Sequence, residues 1–150
     1  MGFTFKFETV LKHRRHLEDI ARRDFMEAQR KLDDCLEGIN SLYQSVDGAR
    51  SGIAAQQKVG DGEALQGIRA TEQFIEGQKI RIQNERQRAR TLMTKVEEMH
   101  EKLVEAVKEY KKIEKLRDRM KVQYKKEMKK TEAKRMDDLV VIRAGRGRAV

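Results

Sequence analysis

The side chains that could bind a metal or catalyse a reaction are few, and their neighbours oppose such chemistry. His13 and His16 are three residues apart, which on a helix brings two imidazoles close to each other. Lys12, Arg14 and Arg15 surround them, and these positive charges would repel a bound cation. The spacing therefore predicts a solvated basic helix face and no metal site.

Cys35 and the glycine pair near the middle of the chain offer no catalytic chemistry either. Cys35 falls at a regularly spaced apolar position, and no histidine is placed to activate it, so we expect a buried, unreactive thiol. The turn Gly60-Asp61-Gly62 is too short for a phosphate loop and lacks the Lys-Ser or Lys-Thr that follows one. We predict that the protein is not an enzyme and binds no cofactor and no metal.

The composition is typical of a long helix or a coiled coil. Charged residues make up 39% of the 150 residues and hydrophobic residues 38%, the net charge is +9, and proline is absent. An ordinary globular domain has about 25% charged residues and about 5% proline. No uncharged apolar run approaches the ~20 residues that span a bilayer, and the single cysteine suits a reducing compartment. We expect a cytoplasmic protein.

Apolar residues recur in two stripes with heptad spacing, which buries one narrow seam between supercoiled helices. In the first stripe, two successive steps of four at Ala21 predict a local unwinding. In the second stripe, Gln78 and Glu85 stand where apolar residues are expected. The first stripe contains Val10, Leu17, Ala21, Phe25, Ala28, Leu32, Cys35, Ile39, Leu42, Val46, Ala49 and Ile53. The second contains Ile68, Ile75, Ile82, Ala89, Leu92, Val96, Met99, Leu103, Ala106, Tyr110 and Ile113.

A turn signal at Gly60-Asp61-Gly62 separates the two stripes, and Asp61 can cap the helix that follows. If the chain reverses here, residues whose numbers sum to about 120 face each other, and seven apolar pairs obey this rule. They are Ile53–Ile68, Val46–Ile75, Ile39–Ile82, Leu32–Ala89, Phe25–Val96, Leu17–Leu103 and Val10–Tyr110. We predict an all-α fold in one domain, a long antiparallel two-helix coiled-coil hairpin. Its predicted parts are helix 1 at 5–57, a turn at 58–62, helix 2 at 63–142 and a flexible basic tail at 143–150.

Helix 2 is predicted to extend beyond helix 1 from about residue 117, for about 25 residues or ~37 Å. Residues 111–135 contain twelve Lys or Arg and four acidic residues, and therefore hold most of the net charge. An isolated helix of this length is marginally stable, so we expect a partner to cover it. Lysines would steer that partner and apolar residues would hold it. The residues concerned are Met120, Tyr124, Lys125, Lys126, Met128, Lys129, Lys130, Met136 and Leu139.

Three short motifs resemble those of the FliJ family of flagellar export proteins. The first is Phe3-Thr4-Phe5-Lys6-Phe7-Glu8-Thr9-Val10-Leu11 followed by Arg14. The second is Glu72-Gln73-Phe74-Ile75, and the third is Lys134-Arg135-Met136-Asp137-Asp138-Leu139. The order of the motifs, the chain length and the two-helix layout match along essentially the whole chain.

The resemblance implies a cytosolic component of the flagellar type III export apparatus that acts as a stalk. The end bearing both termini would enter the central hole of the FliI ATPase ring and promote its assembly and activity. The body would reach toward the export gate protein FlhA, while the ATPase regulator FliH and export chaperones are further partners. The inner membrane would be reached only through these partners. By position, Met136, Asp137 and Leu139 match the ATPase-facing motif, and Phe74, Ile75 and Gln78 fall in the gate-facing region.

Two alternatives stay open on the sequence alone. A stalk protein of a virulence type III injectisome would have the same physical properties and would differ only in its partners. A basic coiled coil that binds nucleic acid is the second alternative. Acidic residues inside the basic segment, Glu114, Asp118, Glu127 and Glu132, dilute its charge, so we predict no nucleic-acid partner.

Overall fold

Two long helices make up nearly all of the protein. The computed structural model describes residues 2–58, Gly60 and residues 62–148, with helix α1 at Glu8–Gln57 and helix α2 at Gly62–Arg148. No strand occurs in these described ranges. The two helices pack against each other and α2 is the longer, which confirms the predicted two-helix fold.

Packing divides the chain into two compact units, each of which contains part of both helices. Unit 1 holds the described residues up to Asp19 and from Glu105 onward, and unit 2 holds Ile20–Val104. That the whole chain folds as one domain stays a prediction.

In unit 2 the helices run antiparallel along a seam that contains two apolar clusters. The predicted pairs Leu32–Ala89 and Val46–Ile75 each fall inside one cluster, as the expected register requires. No side chain among the described residues is completely enclosed, because two helices can surround a residue on only some of its sides. The first cluster contains Leu32, Cys35, Ile39 and Ala89, and the second contains Val46, Ile75 and Ile82.

The pair Ile39 and Ile82, which was predicted to pack together, is divided between the two clusters. Glu85 lies between Ile82 and Ala89 along the seam of α2 and is half-buried. The Cys35 thiol lies 3.6 Å from both Glu85 Oε2 and the Glu85 carbonyl oxygen and donates toward them. A carboxylate cannot pack as an aliphatic side chain does, so it interrupts the apolar seam.

The first turns of α1 present a different face from the one that its apolar residues predict. Leu11 is buried, whereas Val10 and Leu17 are exposed. Arg14 and Glu18 are half-buried, so the alternating steps of three and four continue without the predicted unwinding. The aliphatic stems of such side chains can lie in the seam while the charged ends reach water, which keeps the supercoil regular.

Two helix boundaries differ from the prediction. Helix α1 begins at Glu8, three residues later than predicted, because the chain before it is not helical and Gly2, Phe3 and Thr4 lie against α2. Helix α2 continues to Arg148, well into the segment predicted to be a flexible tail. Arginine and alanine favour helix, no proline interrupts them, and each glycine costs only about 1 kcal/mol.

The chain reverses direction at the predicted turn. Gly60 has a φ of 65°, a left-handed conformation that side chains with a Cβ rarely adopt. Asp61, the predicted helix cap, lies outside the described residues.

Candidate partner-binding surfaces

The C-terminal part of α2 is the longest stretch of helix without a packing partner in unit 1. Half-buried residues follow the heptad spacing along α2 as far as Tyr124, and every described residue from Lys125 to Arg148 is exposed. The next heptad positions are polar, at Glu127, Thr131 and Lys134, so the seam ends in the sequence itself. We name residues 125–148 the overhang; it begins later than the predicted residue 117.

Residues 2–7, which we name the strap, extend the cover of α2 beyond the start of α1. The ring centroids of Phe3 and Tyr124 are 5.6 Å apart, and Phe5 is buried with only 7% of its surface exposed. Phe7 packs edge-on against Phe5. Sequence reasoning used these residues as a family motif and missed their packing role, although phenylalanine at every second position was a usable signal.

The strap lies beside two residues that were predicted to be uncovered and to bind the ATPase. Met120 and Tyr124 are half-buried, and both line a groove of about 500 Å³ together with the strap residues Gly2, Phe3 and Thr4. The structure therefore gives both side chains neighbours within this chain. Their contact with an ATPase stays a prediction.

The overhang brings together the other predicted ATPase-facing residues on an open surface. They are Lys125, Lys126, Met128, Lys129, Lys130, Met136, Asp137 and Leu139, all of them exposed. Nine Lys or Arg and four acidic residues lie in the overhang. A surface of this kind attracts an acidic partner over a distance and offers apolar contacts at close range.

Four consecutive apolar residues near the end of the overhang are exposed on all sides of the helix. Leu139, Val140, Val141 and Ile142 each expose between 52% and 68% of their surface. Successive residues of an α-helix are rotated by about 100°, so these four side chains point in four directions. We name residues 139–142 the collar.

The three predicted gate-facing residues lie in different environments in unit 2. Phe74 exposes 46% of its surface, whereas Ile75 and Gln78 are buried in the seam with 7% and 8% exposed. The Gln78 Oε1 atom has no hydrogen-bond partner in the part of the chain that the structure describes. A partner can therefore reach Phe74 directly, but it can reach the other two only if the seam opens.

Cys35 has the environment of a structural thiol. Burial raises the pKa of this thiol above its ordinary value, and both the hydrogen bond to Glu85 and the charge of that carboxylate add to the effect. The nearby Arg88 opposes it. A thiol held neutral in this way is a poor nucleophile.

Residues 2–58, 60 and 62–148 contain neither a cluster of metal-binding side chains nor a helix of membrane-spanning character. Within them, no three His, Cys, Asp or Glu side chains lie close enough to hold a metal ion, and His13 and His16 are exposed. Neither of the two helices has, in its described length, an apolar stretch sufficient to cross a bilayer.

A family model described as "Flagellar FliJ protein" matches residues 3–149, which is nearly the whole chain. No curated protein and no solved structure gives a significant match.

Proposed function

Because the chain belongs to the flagellar FliJ family, whose proteins are components of the flagellar export apparatus, we propose that its overhang enters the central hole of the export ATPase ring. There it would promote ring assembly and thereby ATP hydrolysis. The chemical step would be carried out by the ATPase.

The exposed collar is the observation that supports this proposal. A groove on a partner covers one side of a helix, so it would leave part of the collar in water. Apolar side chains favour removal from water at about 25 cal/mol per Å² of buried area. An axial hole contacts a helix from all sides, and a helix with its side chains is only about 10–12 Å wide. The collar therefore fits an enclosing partner better than a flat one.

The lysines of the overhang would act before the collar does. Lys125, Lys126, Lys129 and Lys130 are exposed and form two adjacent pairs. Charges on such a surface raise the association rate of an acidic partner more than they strengthen the final complex. The ring entrance that receives the overhang would accordingly be acidic.

A second contact is proposed for unit 2. Phe74 would bind the export gate protein FlhA, because it is a large exposed aromatic side chain beside the buried Ile75. Exposed aromatic residues often dominate the energy of protein interfaces. The regulator FliH and export chaperones are further proposed partners, and through such contacts the protein would be held at the inner membrane.

Four single substitutions in the collar test the ATPase contact. Leu139→Asp, Val140→Asp, Val141→Asp and Ile142→Asp should each weaken binding to the purified export ATPase by about tenfold, since each loses a buried apolar contact. Val122→Asp is the matched control, because Val122 is a similarly exposed apolar residue of α2 outside the overhang. If only one or two of the four substitutions weaken binding, the partner binds one side of the helix in a groove and the ring proposal is wrong.

One substitution in unit 2 tests the gate contact. Phe74→Ala should weaken binding of the purified cytosolic part of FlhA by about tenfold or more, as expected for an aromatic anchor. Ile80→Ala removes an exposed apolar side chain of the same helix and should leave binding unchanged. Circular dichroism should show the same helicity for both variants and the wild type. Equal affinity of the two variants would contradict the contact.

A further inference from the structure

The strap and the overhang share one apolar stripe of α2. Met120, Tyr124 and Met128 are spaced four residues apart, which places them along one face of the helix. Met120 and Tyr124 are half-buried beside the strap, whereas Met128, the next residue of the stripe, exposes 42% of its surface. The stripe thus passes without interruption from the covered part of α2 into the overhang.

The strap covers this stripe incompletely. Its residues Gly2, Phe3 and Thr4 line one side of the open groove of about 500 Å³, and Met120, Gln123, Tyr124 and Glu127 line the other. A closely packed contact would leave no groove of this size. The Phe3 ring meets the Tyr124 ring in a tilted arrangement, and the exposed Thr4 follows it.

The strap also lacks the regular backbone hydrogen bonding that stabilises α1. Gly2 to Phe5 have no helical structure, and the helix begins only at Glu8. Ordering such a segment costs conformational entropy, which offsets the gain from burying its aromatic side chains. Contacts of this type open more readily than the core of a coiled coil.

We propose that the strap is a displaceable cover that competes with the partner of the overhang for the Met120–Tyr124–Met128 stripe. This inference rests on the proposed ATPase contact and adds a form of regulation to it. With the strap closed, a partner can use the stripe only from Met128 onward. Displacement of the strap extends the available face by two positions, so the closed strap lowers the affinity of the overhang for its partner.

The first measurement follows strap opening without any partner. A Met120→Cys variant places a thiol beneath the strap, and its labelling rate with a maleimide reports how often the strap opens. Adding Phe3→Ala, which removes the contact with Tyr124, should raise that rate several-fold. Val122→Ala is the control, because Val122 is an exposed apolar residue of α2 that does not line the groove beside the strap. The wild type, in which Cys35 is buried, supplies the background rate.

The second measurement follows binding to the purified export ATPase. Phe3→Ala should bind the ATPase several-fold more tightly than the wild type, while Val122→Ala should match the wild type. A Thr4→Cys, Gln123→Cys double variant, joined by a bismaleimide with a reducible disulfide in its spacer, locks the strap over the groove. The locked protein should bind about tenfold more weakly, and reduction of the spacer should restore binding.

The outcomes separate this inference from the proposed function. Equal ATPase affinity in the locked, reduced and Phe3→Ala proteins would overturn the competition and leave the ATPase contact intact. An unchanged labelling rate in Phe3→Ala would overturn the displaceable cover itself. Failure of every form, including the wild type, to bind the ATPase would overturn the proposed function and the competition with it.

Discussion

Three heptad positions in the seam of unit 2 carry side chains that are not aliphatic. Cys35 and Gln78 are buried and Glu85 is half-buried, and all three occupy heptad positions that usually carry aliphatic residues. The Cys35 thiol and the Arg88 guanidinium both donate toward Glu85 Oε2, so this carboxylate has partners. Gln78 Oε1 has none among the described residues. A buried acceptor without a donor weakens the fold, so Gln78 lowers the stability of the seam.

Replacing Gln78 should stabilise the protein. In Gln78→Leu the unpaired oxygen is lost and an apolar side chain fills the seam, so the free energy of unfolding should rise by about 1–3 kcal/mol. Urea denaturation followed by circular dichroism measures this change. Gln83→Leu is the control, because Gln83 is exposed on the same helix and its replacement should change stability by no more than about 0.5 kcal/mol. A loss of stability in Gln78→Leu would contradict the assignment of an unpaired oxygen.

Cys35 should make stability depend on pH in the alkaline range. Burial raises the pKa of its thiol, so the folded state favours the neutral form. The resulting stabilisation is fully present below the ordinary thiol pKa of about 8.5 and is lost as the pH rises through the folded-state value. The difference in melting temperature between wild type and Cys35→Ala should therefore shrink above about pH 8.5. A difference that stays constant up to pH 10 would show that the thiol is not held neutral by folding.

Glycines are concentrated in the part of the helices that adjoins the turn. Gly38, Gly48, Gly52, Gly67 and Gly77 all lie in unit 2, and no glycine occurs between Gly77 and Gly145. A Cβ added at Gly48 or Gly52 would meet nothing within 4 Å beyond the backbone of its own helical turn, so helix packing does not require glycine at either position. Because glycine disfavours helix by about 1 kcal/mol relative to alanine, these positions keep the helices near the turn less stable than they could be.

Substitution of these glycines should have opposite effects inside the helix and in the turn. Gly48→Ala and Gly52→Ala should each raise the free energy of unfolding by about 1 kcal/mol. Gly60→Ala should lower it by about 1–2 kcal/mol, since Gly60 has the left-handed conformation. Thermal unfolding measures all three. Destabilisation by Gly48→Ala or Gly52→Ala would mean that the added methyl group clashes with a neighbouring atom or that the helix is distorted at that position.

Amide hydrogen exchange should be faster in the glycine-rich helix next to the turn than in the glycine-free part of α2. Amides of residues 48–57 should exchange faster than those of residues 89–110, because local opening is easier where helix propensity is low. Mass spectrometry of peptic fragments can resolve the two regions. Equal protection would show that packing in the seam outweighs the cost of the glycines.

At the scale of the whole molecule, the charge is unevenly distributed. Residues 111–135 carry a surplus of eight positive charges out of the total of nine, and the rest of the chain is nearly neutral. The ion pairs Glu27–Lys31 and Glu76–Lys79 join residues four and three apart on exposed helix faces, and such pairs add little to stability. The uneven charge therefore affects association with partners more than folding.

Reversing the charge of the overhang should slow partner binding. Replacing Lys125, Lys126, Lys129 and Lys130 with glutamate should lower the association rate with the ATPase by about tenfold and flatten its salt dependence. The dissociation rate should change little, since the collar is intact. A control with the same change in net charge reverses Arg86, Arg90, Lys95 and Lys102, which are exposed in unit 2. If both quadruple variants slow binding equally, net charge alone governs the encounter.

Much of the architecture is determined by the sequence alone. Heptad spacing and the absence of proline specify two long helices, and the matching stripes specify their antiparallel pairing, because local propensity and apolar periodicity act between near neighbours. The end of the seam was predicted near residue 117 and lies at Tyr124, because the strap extends the cover of α2. Family membership, indicated by three short motifs, is confirmed over residues 3–149.

Other features were decided only by the tertiary structure. The strap lies on Tyr124 instead of extending α1, Arg14 and Glu18 enter the seam in place of Val10 and Leu17, and Glu85 divides the apolar core. At each of these places, local propensity allows more than one arrangement of similar free energy. Contacts with residues far away in the chain make that choice, and the sequence alone does not show which of these contacts form.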